Sequence, residues 1–215
     1  MKLISVNVSL PVEIDYNNTQ ISTGIFKKPV SGEIAVGKFN LAGDLQADLI
    51  DHGGNHKAVY AFAAEQYDYW RQALKRPELH YGQFGENLTI SGLDESALCI
   101  GDQIQIGNCI LEITQPRVPC FKLGIALGLN TMPKKFIQHA LTGIYFRVIK
   151  TGKIQARDEV IHHFQHPKQL SVKTLFTAYF DKDFVNAEKV MQTAAEIDEL
   201  SGEWREKVLT MLVKS

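Results

Sequence analysis

Residues 101–114 read GDQIQIGNCILEIT and carry the clearest strand signal in the chain. Apolar and polar residues alternate on both sides of Gly107-Asn108, a dipeptide that suits a two-residue hairpin turn. We therefore predict two antiparallel strands joined at this turn. Pro116 and Pro119 come directly afterwards and end the second strand, because proline cannot donate a ladder hydrogen bond.

Segments on both sides of this hairpin predict further strands. They cover residues 3–8, 32–39, 58–62, 87–90, 144–149 and 158–164, with a second hairpin turn at 151–153. Apolar residues recur at helical spacing in 64–74, 121–129 and 134–141, and Pro133 suits a first helical position. The sequence up to residue 165 is therefore predicted to be mainly β with a few helices.

The pattern changes at His166-Pro167, after which helical periodicity dominates. It runs through 171–180, 183–194 and 201–213, and Asp183 and Ser201 suit N-cap positions. Three short helices in this space form a small unit. We predict a first domain at 1–165 and a three-helix C-terminal extension at 166–215.

Composition narrows the class of protein. Hydrophobic residues make up 45% and charged residues 22%, and the formal net charge of -1 gives no general attraction to nucleic acid or acidic membranes. The N-terminal segment does not resemble a signal peptide, and no apolar run is long enough to span a bilayer. We therefore expect a cytoplasmic protein. Three cysteines, an odd number, argue against a disulfide framework.

Cys120 lies in the segment QPRVPCFKL, residues 115–123, where a strand ends and a helix is predicted to begin. Arg117 and Lys122 stand close by, and cations and a helix N-terminus both favour the thiolate. A thiolate attacks electrophiles or binds soft metals. The alternative is a small buried apolar side chain, and the residues alone leave both open. For Cys99 and Cys109, which have no adjacent cations, we favour the buried interpretation.

A second candidate segment surrounds Gly53-Gly54, just before the strand at 58–62. Two glycines allow backbone N–H groups to approach an anion, and Lys57 adds a positive charge. A metal site is an alternative, with ligands from Asp48, Asp51, His52 and His56. Taken alone, the segment is better interpreted as a Gly-Gly turn with solvated polar side chains.

Two further segments offer ligand contacts. Asn87 follows Gly85 in a turn and could hydrogen-bond a ligand, although the turn alone explains the pattern. Tyr145 and Arg147 share one face of a predicted strand, where an arginine beside an aromatic ring could grip a phosphate. An outward-facing polar stripe is the alternative, and these residues alone favour it.

Taken together and in this order, the segments resemble the MOSC family, named after the C-terminal domain of molybdenum cofactor sulfurases, and in particular its YiiM-like branch. The resemblance covers essentially the whole chain. It rests on Gly43–Asp48, His52-Gly53-Gly54, Phe84–Leu88, Ile100-Gly101-Asp102, Gln115–Leu123 and Gly143–Val148. His56 departs from the pattern, since relatives usually carry an acidic residue there. The resemblance implies a MOSC-like β-barrel domain with a C-terminal three-helix extension.

The resemblance also implies a reactive cysteine at Cys120. In MOSC proteins that bind the molybdenum cofactor (molybdopterin) the equivalent cysteine is a metal ligand, and elsewhere in the family it is discussed as a persulfide carrier of sulfur. The YiiM-like branch is associated with reduction of N-hydroxylated compounds such as hydroxylaminopurines. The residues expected around the cofactor are His52, Gly53, Gly54, Lys57, Asn87, Arg117, Lys122, Tyr145 and Arg147.

Partners follow from the same expectations. The substrate would be a small N-hydroxylated molecule, and a separate protein would donate electrons, because the sequence has no nucleotide fingerprint and no iron–sulfur cysteine set. Acidic residues offset the lysines of the three-helix unit, which argues against nucleic acid binding. No membrane partner is expected, and a homodimer is compatible with the sequence. A binding module without catalysis, which docks a partner through the helices, is a further alternative.

Overall fold

The computed structural model describes residues 1–47 and 53–214. Twelve strands and six helices lie in these ranges, with a short 3-10 turn at Asn55–Lys57. The strands are β1 Lys2–Val8, β2 Val12–Tyr16, β3 Thr19–Thr23, β4 Lys28–Val30, β5 Ile34–Val36, β6 Val59–Ala63, β7 Leu88–Ser91, β8 Gln103–Ile106, β9 Cys109–Pro116, β10 Ile144–Lys150, β11 Gly152–Ile154 and β12 Val160–Phe164. The helices are α1 Ala64–Leu74, α2 Phe121–Leu127, α3 Met132–His139, α4 Val172–Phe180, α5 Ala187–Ala195 and α6 Gly202–Lys214.

Eight strands form one mixed sheet in the order β12-β8-β9-β10-β6-β7-β1-β4. Neighbours run antiparallel except β6 and β7, which are parallel. Backbone bonds from Leu3 N–H to the Asp158 carbonyl and from Val160 N–H to the Met1 carbonyl, both 3.0 Å, bring β1 close to the start of β12. The mainly β class is confirmed. Within the described residues the sheet does not close into the expected barrel.

The central hairpin is confirmed. Ile106 pairs with Cys109 across the turn, and Gly107 has a φ of 54°, which a glycine adopts without steric cost. The inward-facing Ile104 and Leu111 are fully buried, as the alternation predicts. Burial also raises the pKa of the Cys109 thiol to about 12, so this cysteine is an apolar core residue.

Two strand pairings differ from the prediction. β11 follows β10 at once, but it pairs with β5, with Gly152 opposite Val36. The predicted local hairpin at 151–153 is therefore wrong, because β11 pairs with the distant β5 in a separate two-stranded sheet. The sequence analysis also missed the hairpin of β2 and β3, whose turn residues Asn17 and Asn18 both have positive φ, an arrangement typical of a type I′ turn.

The C-terminal helices α4, α5 and α6 confirm the three-helix prediction. Ser171 and Ser201 accept bonds from the backbone N–H groups of Thr174 and Trp204 at the starts of α4 and α6. Asp183 does not cap α5, because Asn186 takes a left-handed conformation and the helix begins only at Ala187. The boundary at residue 166 stays a prediction about domain organisation.

These helices share one apolar core with the sheet. Phe176, Met191 and Trp204 are fully buried or nearly so and belong to the same cluster as Ile113 and Phe146. Burial of these apolar side chains stabilises the packing of the helices against the sheet. In the described part of the chain, no helix has the length and apolar character needed to cross a bilayer.

Strand β6 is buried on both faces, as its continuous apolar run predicts. Val59 and Ala61 face the main core, whereas Tyr60 and Phe62 face a second, aromatic cluster. In that cluster the Phe62 and Phe136 rings stack 5.6 Å apart. This aromatic layer supports the wall of the pocket described next.

Candidate functional site

Cys120 occupies the N-cap position of α2. It follows Pro119 directly, and β9 ends shortly before it at Pro116. Its backbone is extended, with φ -114° and ψ 175°, and its carbonyl accepts the Leu123 N–H at 3.0 Å. The side chain is half-buried, whereas Cys99 and Cys109 are buried. The strand-to-helix junction predicted around Cys120 is therefore present, and the thiol reaches the wall of a pocket.

Arg117 is the buried cation of this site. Its guanidinium lies over the rings of Tyr60 and Phe136, with 4.8 Å and 5.7 Å from Cζ to the ring centroids, and Nη1 donates to Tyr60 Oη at 3.3 Å. Burial disfavours its charge, but nearby Tyr60, Tyr145 and Cys120 outweigh burial and raise its pKa. Arg117 therefore stays cationic within electrostatic reach of the Cys120 sulfur.

Two tyrosines flank Arg117 on paired strands. Tyr60 on β6 stands opposite Tyr145 on β10, with ring centroids 5.1 Å apart. Burial raises the pKa of both phenols well above the ordinary value, although the charge of Arg117 partly opposes the effect. Both side chains therefore stay neutral near pH 7. Tyr60 Oη donates to the Thr142 carbonyl at 2.7 Å.

A buried ion pair between Lys27 and Asp44 forms another part of the wall. Asp44 also accepts the Ser9 N–H at 2.9 Å and the Asn87 side-chain amide at 2.8 Å. Burial lowers the pKa of Lys27, and the nearby Asp44 carboxylate opposes that effect. Asn87 Oδ1 in turn accepts the Tyr60 N–H at 3.1 Å, so the predicted ligand-orienting amide is held by protein partners.

Lys57 and Lys122, two of the residues expected around a cofactor, also line the pocket. Lys57 Nζ lies 2.5 Å from a carboxylate oxygen of Glu203 on α6. Gly54 has a φ of 86°, and its N–H donates to Gln46 Oε1 at 3.0 Å, so this predicted anion donor already has a protein acceptor. Gly53 precedes it outside the lining residues.

Arg147 lies outside the pocket. Its Nη2 is 2.5 Å from Glu112 Oε1, on the neighbouring strand where the two residues are directly paired. The predicted ligands His52, Asp48 and Asp51 fall outside the described residues. Among residues 1–47 and 53–214, no group of three or more His, Cys, Asp or Glu side chains is arranged to hold a metal ion.

The side chains that meet at this point line an open pocket, whose space is about 690 Å³ when the part open to solvent is included. Among the described lining residues, four are cations and one is a carboxylate, so the wall carries excess positive charge. The lining consists of Thr23, Gly24, Ile25, Lys27, Asp44, Leu45, Gln46, Ala47, Lys57, Tyr60, Gly85, Asn87, Arg117, Val118, Cys120, Lys122 and Tyr145. Such a wall suits an anionic small molecule that reaches a thiol.

Lys27 and Tyr60 line the pocket but are not among the site residues predicted from the sequence. A tyrosine within an otherwise apolar buried strand is a usable signal, because a buried hydroxyl needs a hydrogen-bond partner. Lys27 has no comparable local signal. Its partner Asp44 is distant in sequence, and only the fold shows that the two meet.

Glu95 is a buried carboxyl that binds the backbone just before β10, and its titration predicts how the stability of the protein depends on pH. Its carboxylate accepts the backbone N–H groups of Thr142 and Gly143 at 3.2 Å and 2.9 Å. Burial raises its pKa from 4.5 to about 7, while those bonds and Lys173 act in the opposite direction. Between these values the folded state binds more protons than the unfolded state, so stability falls as pH rises.

We expect Glu95→Gln to remove this fall, because glutamine cannot titrate. Urea unfolding between about pH 4.5 and about pH 7 measures it. The wild type should lose free energy of unfolding across this window, and E95Q should show a flatter dependence. Glu13→Gln, at an exposed carboxyl, is the matched control and should follow the wild type. Parallel curves for E95Q and the wild type would contradict the assignment.

Comparison with known proteins identifies the family of this chain. The family model described as "MOSC domain" matches residues 48–161. The uncharacterized protein YflK of Bacillus subtilis (strain 168) is 35% identical over 205 residues, which cover 94% of this chain and 90% of that protein. A protein named "Reductase" from Gibberella moniliformis is 32% identical over 144 residues, 66% of this chain but only 26% of that longer protein.

Among solved structures, YiiM from Geobacillus stearothermophilus superposes with a TM-score of 0.81 at 31% identity, and the match covers 98% of both chains. The family model spans more than half of this chain, and the segment that carries Cys120, Arg117 and Lys57 lies within it. This chain belongs to the MOSC domain family.

Proposed function

We propose that this protein binds the molybdenum cofactor in the pocket beside Cys120 and reduces small N-hydroxylated compounds such as hydroxylaminopurines. The observation that carries the proposal is the Cys120 thiol on the wall of an open pocket whose described lining is mainly cationic. Family membership supports a cofactor of this class, and the Gibberella relative named "Reductase" supports reduction as the reaction type.

The residues present fit the cofactor. A pterin that ends in a phosphate needs cations at one end and a thiolate donor at the metal, and molybdenum accepts soft sulfur ligands. Lys57, Arg117 and Lys122 supply positive charge, and Cys120 supplies sulfur. When bound, the metal would carry the redox change, and the protein would bind and position the reactants.

The side chains of this chain then have distinct roles. Arg117 keeps its charge within electrostatic reach of the Cys120 sulfur. A cation near a cysteine favours the thiolate form that a metal ligand requires. The neutral Tyr60 and Tyr145 orient polar groups by hydrogen bonding, because their pKa values are raised by burial. Lys27, paired with Asp44, adds a further cation to the pocket wall.

The reaction would consume two electrons and two protons for each N–OH group and release an amine and water. We propose a separate protein as electron donor. The test is reduction of 6-hydroxylaminopurine with a chemical reductant, comparing protein made in a host that synthesises the cofactor with protein made in a host that does not. Turnover only in the first preparation is expected. Equal rates, or no turnover in either, would contradict the proposal.

The persulfide role of Cys120 is the second candidate, because the same half-buried thiol beside a cation suits sulfur transfer. Incubation with a cysteine desulfurase and free cysteine, in which the outer sulfur of the desulfurase persulfide passes to the Cys120 thiolate and the desulfurase thiol is released, followed by intact-mass analysis tests it. One added sulfur atom in the wild type, absent from Cys120→Ser, would support a carrier. A wild-type mass without added sulfur would exclude it.

A further inference from the structure

The C-terminal helix α6 contributes a charge to the pocket wall. The carboxylate of Glu203 meets Lys57 Nζ at 2.5 Å, and the Lys57 side chain, which lines the pocket, is only 10% exposed. Glu203 also pairs with Lys207 one turn further along α6, at 3.2 Å. A residue of the helical extension therefore meets a cation of the MOSC-family pocket.

Helix α6 holds Glu203 in a fixed place. The Ser201 N–H donates to the Thr114 carbonyl at 3.1 Å, and Trp204 Nε1 donates to the Pro116 carbonyl at 3.2 Å. Trp204 is fully buried, so the first turn of α6 is anchored to the end of β9. Glu203 lies between these two anchors and cannot move far from the strand that leads into Cys120.

The backbone of Lys57 is held by the same strand. Thr114 Oγ1 donates to the His56 carbonyl at 2.6 Å, and Gln46 Nε2 donates to the Lys57 carbonyl at 2.8 Å. The two charged groups therefore approach each other from supports that share β9. Their pairing follows from the fold and does not depend on the chance orientation of two long surface side chains.

Glu203 carries its negative charge near neutral pH. Partial burial opposes ionisation, but the hydrogen bonds and charges of Lys57 and Lys207 outweigh it and lower its pKa. Its charge also helps to raise the pKa of Tyr145, which places Glu203 within electrostatic reach of the pocket. A carboxylate in this place offsets part of the positive potential that an incoming anion experiences.

We propose that Glu203 is a positioning residue that sets the anion affinity of the pocket by sharing Lys57 with the phosphate of the ligand. This inference rests on the proposed function only in taking a phosphate-bearing ligand for this pocket. It gives the three-helix extension a role inside the binding site. Glu203 competes for the lysine, and so moderates how tightly a phosphate-bearing ligand is held.

A double-mutant cycle with inorganic pyrophosphate as probe tests the proposal. Calorimetry at low ionic strength compares the wild type, Glu203→Gln, Lys57→Met and the double variant. We expect E203Q to bind pyrophosphate about fivefold more tightly, the scale of losing one partly sheltered ion pair. In the K57M background the same change should have no effect, because the shared lysine is gone.

Glu206→Gln is the matched control, since Glu206 is exposed on the same helix and carries the same charge. It should bind pyrophosphate as the wild type does. An equal gain from E203Q with and without Lys57, a gain from E206Q of the same size, or no pyrophosphate binding by any form would each overturn the proposal.

Folding and cofactor loading are controlled separately. Should E203Q fail to fold, Glu203→Asp replaces it, because the shorter side chain withdraws the carboxylate from Lys57. A smaller gain in the same direction is then expected, and no gain would overturn the proposal. The pyrophosphate measurement requires no molybdenum. If the protein never binds molybdenum but shows the expected coupling between Glu203 and Lys57, the proposed function is contradicted and the proposed role of Glu203 is supported.

Discussion

Replacing Gly143 with alanine should lower the free energy of unfolding by about 3–5 kcal/mol and disrupt the pocket. Gly143 has a φ of +88°, and an added Cβ would lie 2.5 Å from both the Ala61 carbonyl oxygen and a ring carbon of Tyr60. Neither neighbour can retreat easily, because Ala61 pairs with Ile144 where β10 begins. Equilibrium unfolding in urea measures the loss.

Gly32→Ala is the matched control for this prediction. Gly32 has nearly the same backbone angle, with a φ of +82°, but no atom lies within 4 Å of its added Cβ. It should cost only the backbone strain, about 1–2 kcal/mol. The difference between the two variants isolates the clash with Ala61 and Tyr60. Equal losses for G143A and G32A would show that this close packing does not matter.

Breaking the Lys27–Asp44 pair at its acidic end is the second large effect. Asp44→Asn leaves a buried ammonium without a counter-charge, and we expect a loss of about 3–5 kcal/mol in the free energy of unfolding. Lys27→Met should cost less, because Asp44 still accepts the N–H of Ser9 and the amide of Asn87. Urea unfolding of both variants measures the two losses.

The double variant K27M/D44N supplies the control. If the cost of D44N comes from an uncompensated charge, removing that charge should recover most of the lost stability. Independent and additive losses from the two changes would show that the pair is not energetically coupled. In that case the pocket wall would depend on the packing of these side chains and not on their charges.

Local patterns predicted much of the fold. The helical spacing in 64–74 predicted α1 to the residue, and Gly107-Asn108 predicted the central hairpin, since in both cases the deciding contacts lie within a few residues. Pairing between distant strands was beyond such reasoning. β11 does not pair with its sequence neighbour β10 but with β5, more than a hundred residues earlier, in a separate two-stranded sheet.

The same division holds for the candidate site. Cys120, Arg117 and Lys122 could be proposed together because they lie within one short segment. Arg147 was expected beside the ligand because it shares a strand face with Tyr145, but strand register sets it against Glu112.

The contributions of Lys27 and Glu203 depend on partners far along the chain. Their roles therefore became visible only in three dimensions.

The molybdenum content of protein purified from a cofactor-synthesising host tests the central claim most directly. Wild type should carry close to stoichiometric molybdenum, and Cys120→Ser should retain at least about tenfold less, because a hydroxyl is a poor substitute for a thiolate at a soft metal. Cys99→Ser is the control, since the buried Cys99 thiol bonds only weakly to the Ala97 carbonyl at 3.5 Å, and it should match the wild type. Equal molybdenum in wild type and C120S, or none in any of the three, would contradict the account.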